Sequence, residues 1–257
     1  MRIYVCVKHV PDTAARITIL GKNRIDERVT FIMNPYDENA IEEAARIKRD
    51  VGSAEVIAVT LGKPEAESTL RSALAMGADR GILIKADDHP DSMVTAAALK
   101  AAIELDGKPD IIFTGKESID REGFETMFRL AANFGIPAAS NVVSFSLEPD
   151  TVIVEYELEA GAREVAEMPR PGVIGAGKNL NKPNYPTLPA IMKARKKEIK
   201  QIDLRDLNLE KPQGRVEILE LKPAVEARQA KELAGTPDEV AGEIVKILRD
   251  EARVLHD

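Results

Sequence analysis

Short apolar runs alternate with amphipathic segments over the first half of the chain, and this alternation constrains the fold more than any other feature. Runs suited to buried strands lie at 2–7, 55–60, 81–85 and 110–114. Apolar residues at helical spacing follow each run, at 34–50, 65–76, 92–105 and about 124–134. Repeated strand–helix units of this length build a parallel sheet with helices on both faces. The sequence therefore predicts an α/β fold.

Residues that favour helix ends support these boundaries. Asn34 is suited to capping a helix, Pro35 fits the first helical position, and Asp37 favours the positive end of the helix. Gly77 is a typical residue for closing the helix at 65–76. Near the end of the chain, Thr236 followed by a proline and acidic residues predicts the start of another helix.

The pattern changes after Ser140. Short β runs at 141–147, 151–158 and 162–168 predict an antiparallel extension of the same sheet. A polar stretch at 203–231 then has too few apolar residues to form a core of its own. We interpret this stretch as an extended arm that lies on a partner, and the alternative is a solvent-exposed linker.

A proline-rich segment from Gly175 to Lys197 has the features of a docking loop. Pro183, Pro186 and Pro189 remove backbone donors, so the sequence predicts a loop over a surface rather than a strand. A short helix carrying apolar and cationic residues is expected to begin just after Pro189. Leu188 would provide an exposed apolar anchor beside these charges. The alternative is an ordinary surface excursion with a solvated run of charge.

Composition excludes several functional classes. The net charge of −7 argues against broad nucleic-acid binding, and the single Cys6 with three scattered histidines argues against thiol and metal chemistry. No apolar run reaches the roughly 18 residues of a membrane helix, so we expect no direct membrane insertion. The start of the chain lacks the apolar region of a signal peptide. These features predict a cytoplasmic protein or a mature organelle-matrix chain.

Parallel sheets bind ligands beyond the carboxyl ends of their strands, which directs attention to 8–12, 34–37, 60–64 and 115–126. The loop at 115–123 follows a strand, precedes a helix and can offer backbone N–H groups to phosphate. Gly172–Lys178 matches the first part of a P-loop, but Asn179 stands where Ser or Thr is needed. No Ser/His/Asp set, Cys/His set or pair of catalytic carboxylates can be assembled, so no catalytic residue is predicted.

Five segments stand out, in order along nearly the whole chain: VCVK at 5–8, MNPYDE at 33–38, RSALAMGADR at 71–80, GKESID at 115–120 and NKPNYPTLPAIMKARKK at 181–197. Together they resemble the β subunit of electron transfer flavoproteins. The resemblance implies a fold similar to the adenine-nucleotide α-hydrolase-like group. It also implies an electron carrier rather than an enzyme.

The same resemblance implies the partners and cofactors. An electron transfer flavoprotein α subunit would hold most of a shared FAD, while this chain would bind AMP or, in electron-bifurcating members, a second FAD. Electrons would come from acyl-CoA dehydrogenase-type flavoenzymes and pass to an acceptor oxidoreductase. The expected domains are 1–198, an α/β nucleotide-binding domain that includes the docking loop 177–197, and 199–257, a C-terminal arm and helix that contact the partner subunit.

The resemblance also assigns residues to both sites. The cofactor-binding residues would be Cys6, Asn34, Pro35, Tyr36, Asp37, Leu61, Asp120, Arg121, Glu122, Gly123, Phe124, Glu125 and Thr126. The partner-docking residues would be Tyr185, Leu188, Pro189, Ile191, Met192, Lys193 and Lys196.

The chain departs from the family pattern at several positions. Glu125-Thr126-Met127 stands where Gln-Thr-Gly is usual, Gly175 where a small hydroxyl or Ala is usual, and Tyr156 where a basic residue is common. A Met in place of Gly would obstruct phosphate approach, and a carboxylate at Glu125 would repel an anion.

Two alternatives to the carrier function follow from the sequence. One is a bifurcating subunit that oxidises NADH, although the segment from His89 lacks the glycine usual in such members. The other is a stand-alone nucleotide-binding sensor of the same fold.

Overall fold

The computed structural model describes residues 1–207, 209, 214–223 and 231–254. The strands are β1 Arg2–Cys6, β2 His9–Pro11, β3 Ile19–Leu20, β4 Arg24–Ile25, β5 Phe31–Met33, β6 Glu55–Gly62, β7 Arg80–Lys85, β8 Ile111–Gly115, β9 Ala138–Leu147, β10 Thr151–Glu157, β11 Arg163–Pro169, β12 Val173–Ala176 and β13 Ile199–Asp203. The α-helices are α1 Pro35–Val51, α2 Glu67–Met76, α3 Ser92–Asp106, α4 Thr126–Phe134, α5 Leu188–Ala194 and α6 Pro237–Lys246.

A nine-stranded sheet forms the centre of the fold, in the order β11-β10-β9-β12-β8-β1-β6-β7-β13. Neighbouring strands from β9 to β13 in this order pair in parallel. β10 and β11 add antiparallel pairings at one edge. The predicted parallel sheet with an antiparallel extension is confirmed.

Helices cover both faces of this sheet because alternate residues of β1 point to opposite sides. Ile3 packs in one buried cluster with residues of α1 and α2, including Ile41. Tyr4 packs in the other cluster with residues of α3 and α4, including Leu99. The α/β fold class is therefore confirmed, with a core on each side of the sheet.

Several helix boundaries differ from those expected. A 3₁₀ turn at Pro64–Ala66 precedes α2, and α4 begins at Thr126, so the loop after β8 is longer than predicted. Gly77 closes α2 with a positive φ of 139°, and it is the capping residue that was expected. α6 begins after a full capping box between Thr236 and Glu239, which confirms the predicted start.

β12 corrects the prediction for the segment that begins at Gly175. Gly175 and Ala176 belong to β12, which pairs with β8 and β9 in the middle of the sheet. The three prolines exclude strand structure only from Pro183 onwards, so they do not affect β12. Because Gly172–Lys178 spans this strand rather than a phosphate-binding loop, its likeness to a P-loop is accidental.

The docking helix α5 also differs from its prediction. It begins at Leu188 rather than after Pro189, because a proline is tolerated within the first helical turn, where its missing N–H is not needed. Leu188 is therefore the first residue of a helix and not a loop residue held between two prolines. The Leu188 side chain therefore projects from helical backbone.

The boundary expected at 198/199 lies immediately before β13, which pairs with β7 in the main sheet. Leu207 is also buried, at 2% exposure, in the core beside α3. The chain divides instead into compact units at 1–220 and 221–257. The first part of the expected arm therefore belongs to the α/β unit. Main-chain hydrogen bonds of β13 join it to the sheet, and the polar sequence did not predict this pairing.

Two small antiparallel ribbons between β1 and α1 were not predicted. β2 pairs with β5, and β3 pairs with β4. The pairing of His9 with Met33 brings the start of α1 back to the carboxyl end of β1. Among the described helices, none is long and apolar enough to cross a bilayer.

Candidate functional site

A cavity of about 320 Å³ lies beyond the carboxyl ends of β1, β6 and β8. Nine of the predicted cofactor residues line it: Cys6, Asn34, Asp37, Leu61, Arg121, Gly123, Phe124, Glu125 and Thr126. Its volume falls at the lower end of the range for small-molecule sites, about 300–1,000 Å³. The structure thus brings nine of the thirteen residues that the family resemblance grouped together to one cavity.

Four predicted cofactor residues do not border this cavity. Pro35 is the first residue of α1, and the ring of Tyr36 lies 5.2 Å below the Lys116 ammonium. Asp120 faces Lys8 across an ion pair of 2.6 Å, and Glu122 sits in the loop with a φ of 46°. Pro35 and Tyr36 thus lie in the first turn of α1, and Asp120 and Glu122 lie in the loop after β8, outside the cavity wall.

Asp37 joins three segments at the floor of the cavity. Its Oδ1 accepts hydrogen bonds from the Gly115 N–H at 2.8 Å and from Asn34 Nδ2 at 3.0 Å. Its Oδ2 accepts one from the Lys8 N–H at 2.7 Å. Burial raises the pKa of the Asp37 carboxyl to about 7, and the hydrogen bonds from Asn34, Lys8 and Gly115 oppose that rise. Gly115 is needed here, because a Cβ at this position would lie 2.6 Å from Tyr36 Cβ.

Asn34 occupies the capping position of α1, as predicted, but its side chain makes no capping hydrogen bond. The amide instead binds the loop after β8. Nδ2 donates to the Glu117 carbonyl at 2.8 Å, and Oδ1 accepts from the Ile119 N–H at 3.1 Å. Asn34 therefore binds the loop through two hydrogen bonds instead of capping α1, and these bonds hold the loop against the start of the helix.

Lys8 supplies a cation to the cavity wall that was not among the predicted residues. Its Nζ donates to Ser118 Oγ at 3.1 Å and to both carboxylate oxygens of Asp120. Burial lowers the pKa of Lys8, whereas the charge of Asp120 and its hydrogen bond act in the opposite direction. The pair ties the end of β1 to the loop after β8.

The first turn of α4 faces the cavity, and no side chain of the described residues caps it. Uncapped backbone N–H groups at a helix start attract anions. The Glu125 carboxylate is held by Ser92 Oγ at 2.7 Å and by Arg129 at 2.9 Å. These two partners lower the pKa of Glu125 and balance its charge, which weakens the repulsion expected from the sequence.

Met127 and Gly175, two departures from the family pattern, are packed against each other. Met127 is 2% exposed, and a Cβ added to Gly175 would lie 2.5 Å from the Met127 sulfur. The thioether therefore fills the space that a larger residue at position 175 would need. The two departures compensate, and Met127, which also lines the cavity, packs in the core cluster beside α3.

The arm after β13 contributes to the cavity, which the sequence did not reveal. Val216 lines it, and the Arg215 N–H donates to Asp91 Oδ2 at 2.6 Å. The other oxygen of Asp91 caps α3 by accepting from Met93 and Val94. Asp91 thus joins the arm to the helix start at the rim of the cavity.

All seven predicted docking residues are exposed. Tyr185 is 92% exposed, Leu188 73% and Met192 52%, which is unusual for large apolar side chains. Lys193 and Lys196 lie in or just after α5, whose buried side is formed by Ala194. We call the segment 181–197 the docking segment.

Comparisons with known proteins agree with this architecture. Residues 23–207 match the family model described as "Electron transfer flavoprotein domain". The chain is 36% identical over 262 residues to the "Electron transfer flavoprotein subunit beta" of Bacillus subtilis, with 99% of this chain and 100% of the relative covered. It is 35% identical over 258 residues to a mitochondrial protein of that name from Arabidopsis thaliana, with the same coverage. Identity to the relative from Thermoanaerobacterium thermosaccharolyticum is 40% over 215 residues, 82% of each chain.

The buried Asp37 predicts a pH dependence of stability. Because its pKa rises from the ordinary 3.8 to about 7, the folded state binds the proton more tightly, and the free energy of unfolding should fall as pH rises between these values. The slope contributed by one group is at most about 1.4 kcal/mol per pH unit. Urea titrations of wild type and Asp37→Asn should show that this slope is lost in the variant. Exposed Asp150→Asn is the control, and an unchanged slope in Asp37→Asn would contradict the assignment.

The packing of Met127 against Gly175 predicts a coupled pair of substitutions. Gly175→Ala should destabilise the fold by about 1–3 kcal/mol, because the new Cβ overlaps the thioether. Adding Met127→Ala frees that space, so the double variant should lose less than the sum of the single losses. Chemical denaturation of the four proteins measures the coupling. Additive losses would show that the two side chains do not compete for one space.

Proposed function

Because this chain belongs to the electron transfer flavoprotein family as a β subunit, we propose a specific division of work within its heterodimer. The chain pairs with an α subunit that holds most of the redox FAD. Its docking segment binds acyl-CoA dehydrogenase-type flavoenzymes, whose electrons pass to the shared flavin and then to an acceptor oxidoreductase. The cavity holds AMP. Placement in the cytoplasm stays a prediction.

The exposed apolar surface of the docking segment carries the first part of this proposal. Leu188, Tyr185 and Met192 project from a short helix and its approach, where burial against a partner would recover their transfer free energy. Lys193 and Lys196 flank them. An apolar socket with an acidic rim is the complementary partner surface, and the charges would favour fast encounter.

The geometry of the cavity supports AMP. The first turn of α4 offers N–H groups to a phosphate, and Arg121 lies in the wall. Leu61, Leu99 and Val216 provide apolar surface for a base. The Glu125 carboxylate is bound by Ser92 and Arg129, so its negative charge is balanced and repels the phosphate less.

One observation favours the alternative of a second FAD. A neighbouring open cavity of about 730 Å³ shares Lys116 and Phe124 with the first one. A ligand longer than AMP could extend past Phe124 into this space. The two hypotheses therefore differ in the bound cofactor. AMP would occupy the first cavity alone, whereas a second FAD would extend through both cavities.

Substitution of Leu188 tests the docking surface. Leu188→Ala in the heterodimer should raise the apparent KM for the flavoprotein at least about tenfold, since an anchor of this kind contributes about 2 kcal/mol or more. FAD content should not change, because the side chain lies on the exposed surface. The measurement is flavin reduction by an acyl-CoA dehydrogenase supplied with its acyl-CoA.

Leu105→Ala is the matched control, because Leu105 is also exposed but lies on α3. It should leave the apparent KM unchanged. Equal kinetics for Leu188→Ala and wild type would reject the docking role.

Cofactor content distinguishes AMP from a second FAD. The heterodimer, denatured and filtered, should release one flavin and one AMP, measured by absorbance and by chromatography of the nucleotide. Two flavins without AMP would support the bifurcating alternative.

A further inference from the structure

The docking segment is fixed to α1 by buried carboxylates. Glu42 and Glu43 have side chains only 8% and 4% exposed, which is costly for acidic groups without partners. Glu42 accepts hydrogen bonds from the Asn184 N–H at 3.2 Å and from Asn184 Nδ2 at 3.1 Å. Glu43 Oε2 accepts one from Asn181 Nδ2 at 3.1 Å. The backbone just before Tyr185 is thereby held by charge-assisted hydrogen bonds.

Asn39 and Asn181 reinforce this attachment reciprocally. Asn39 Nδ2 donates to the Asn181 carbonyl at 2.9 Å, and Asn181 Nδ2 donates to the Asn39 carbonyl at 3.0 Å. Both side chains therefore bind main-chain groups of the other segment. We call Asn39, Glu42, Glu43, Asn181 and Asn184 the α1 clamp.

The opposite end of the docking segment is held by α2. Arg71 Nη1 donates to the carbonyls of Ala194 at 3.0 Å and Lys197 at 2.7 Å, just where α5 ends. Lys197 Nζ returns a hydrogen bond to the Leu74 carbonyl at 3.0 Å. The exposed apolar residues thus lie between two fixed ends.

A surface held in this way loses little conformational entropy when a partner binds. We propose that Asn181 and Asn184, through Glu42 and Glu43, are positioning residues that pre-organise the docking segment for its electron-donating partner. This proposal rests on the proposed docking function. The clamp acts through Leu188 and its apolar neighbours and contributes no contact of its own to the partner.

Asn184→Ala is the most direct variant. It removes the hydrogen bond from the side-chain amide to Glu42 Oε1. The backbone N–H of residue 184 and the salt bridge of Glu42 with Arg49 at 3.0 Å remain, so the buried carboxylate keeps its other partners. The heterodimer should show an apparent KM about three- to tenfold higher in reduction by the acyl-CoA dehydrogenase, as expected for one or two newly mobile side chains. The kcat should stay within about twofold, because the flavin is not touched. Asn23→Ala, in the exposed turn between β3 and β4, is the matched control.

A double-variant cycle separates positioning from direct contact. If Asn184 acts by holding Leu188 in place, Asn184→Ala should have little further effect once Leu188→Ala has removed the anchor. Amide hydrogen exchange of 185–194 should also be faster in Asn184→Ala than in wild type.

The possible outcomes distinguish failure of the positioning role from failure of the docking function. A raised KM that disappears in the Leu188→Ala background, together with faster exchange, supports the proposal. Unchanged KM and exchange in Asn184→Ala overturn it, and so does an equal fold-change in both backgrounds. If Leu188→Ala alone has no effect, the docking function itself fails and the positioning role fails with it. An effect of Leu188→Ala without one of Asn184→Ala rejects only the positioning role.

Discussion

The hydrogen bonds of the Asp37 carboxylate are the contacts on which the rest of the site depends. They join the end of β1, the end of β8 and the first turn of α1 within one buried cluster. A buried carboxylate is stable only where donors converge on it, and here two backbone N–H groups and an amide do so. The cavity wall, the loop after β8 and the direction of α1 are fixed together as a result.

α1 also holds the docking segment in place. Its first turn forms the floor of the cavity, and the next turns carry Asn39, Glu42 and Glu43 to the docking segment. One helix therefore supports both the cavity that we propose for AMP and the surface that we propose for docking. This arrangement explains why α1 contains several buried polar residues on a helix that otherwise packs against the sheet.

The fold class followed from the sequence because strand and helix periods alternate clearly over the first 134 residues. The family resemblance then predicted the residues of the two proposed sites. β12 and β13 were missed for different reasons. β12 is four residues long and resembles a glycine-rich loop, while β13 is an edge strand with polar residues that only its pairing with β7 identifies. Val216 and Asp91 were missed at the cavity because tertiary packing alone brings the arm to α3. The compensation between Met127 and Gly175 is likewise invisible to any local pattern, since the two residues lie far apart in the chain.

We propose above all that the docking segment binds the electron-donating flavoenzyme. Amide hydrogen exchange of the complete heterodimer, measured with and without an acyl-CoA dehydrogenase, tests it most directly. We expect slower exchange in the dehydrogenase complex at 185–194 and little change at the cavity loop 115–126. Efficient flavin reduction without any added protection at 185–194 would contradict the account.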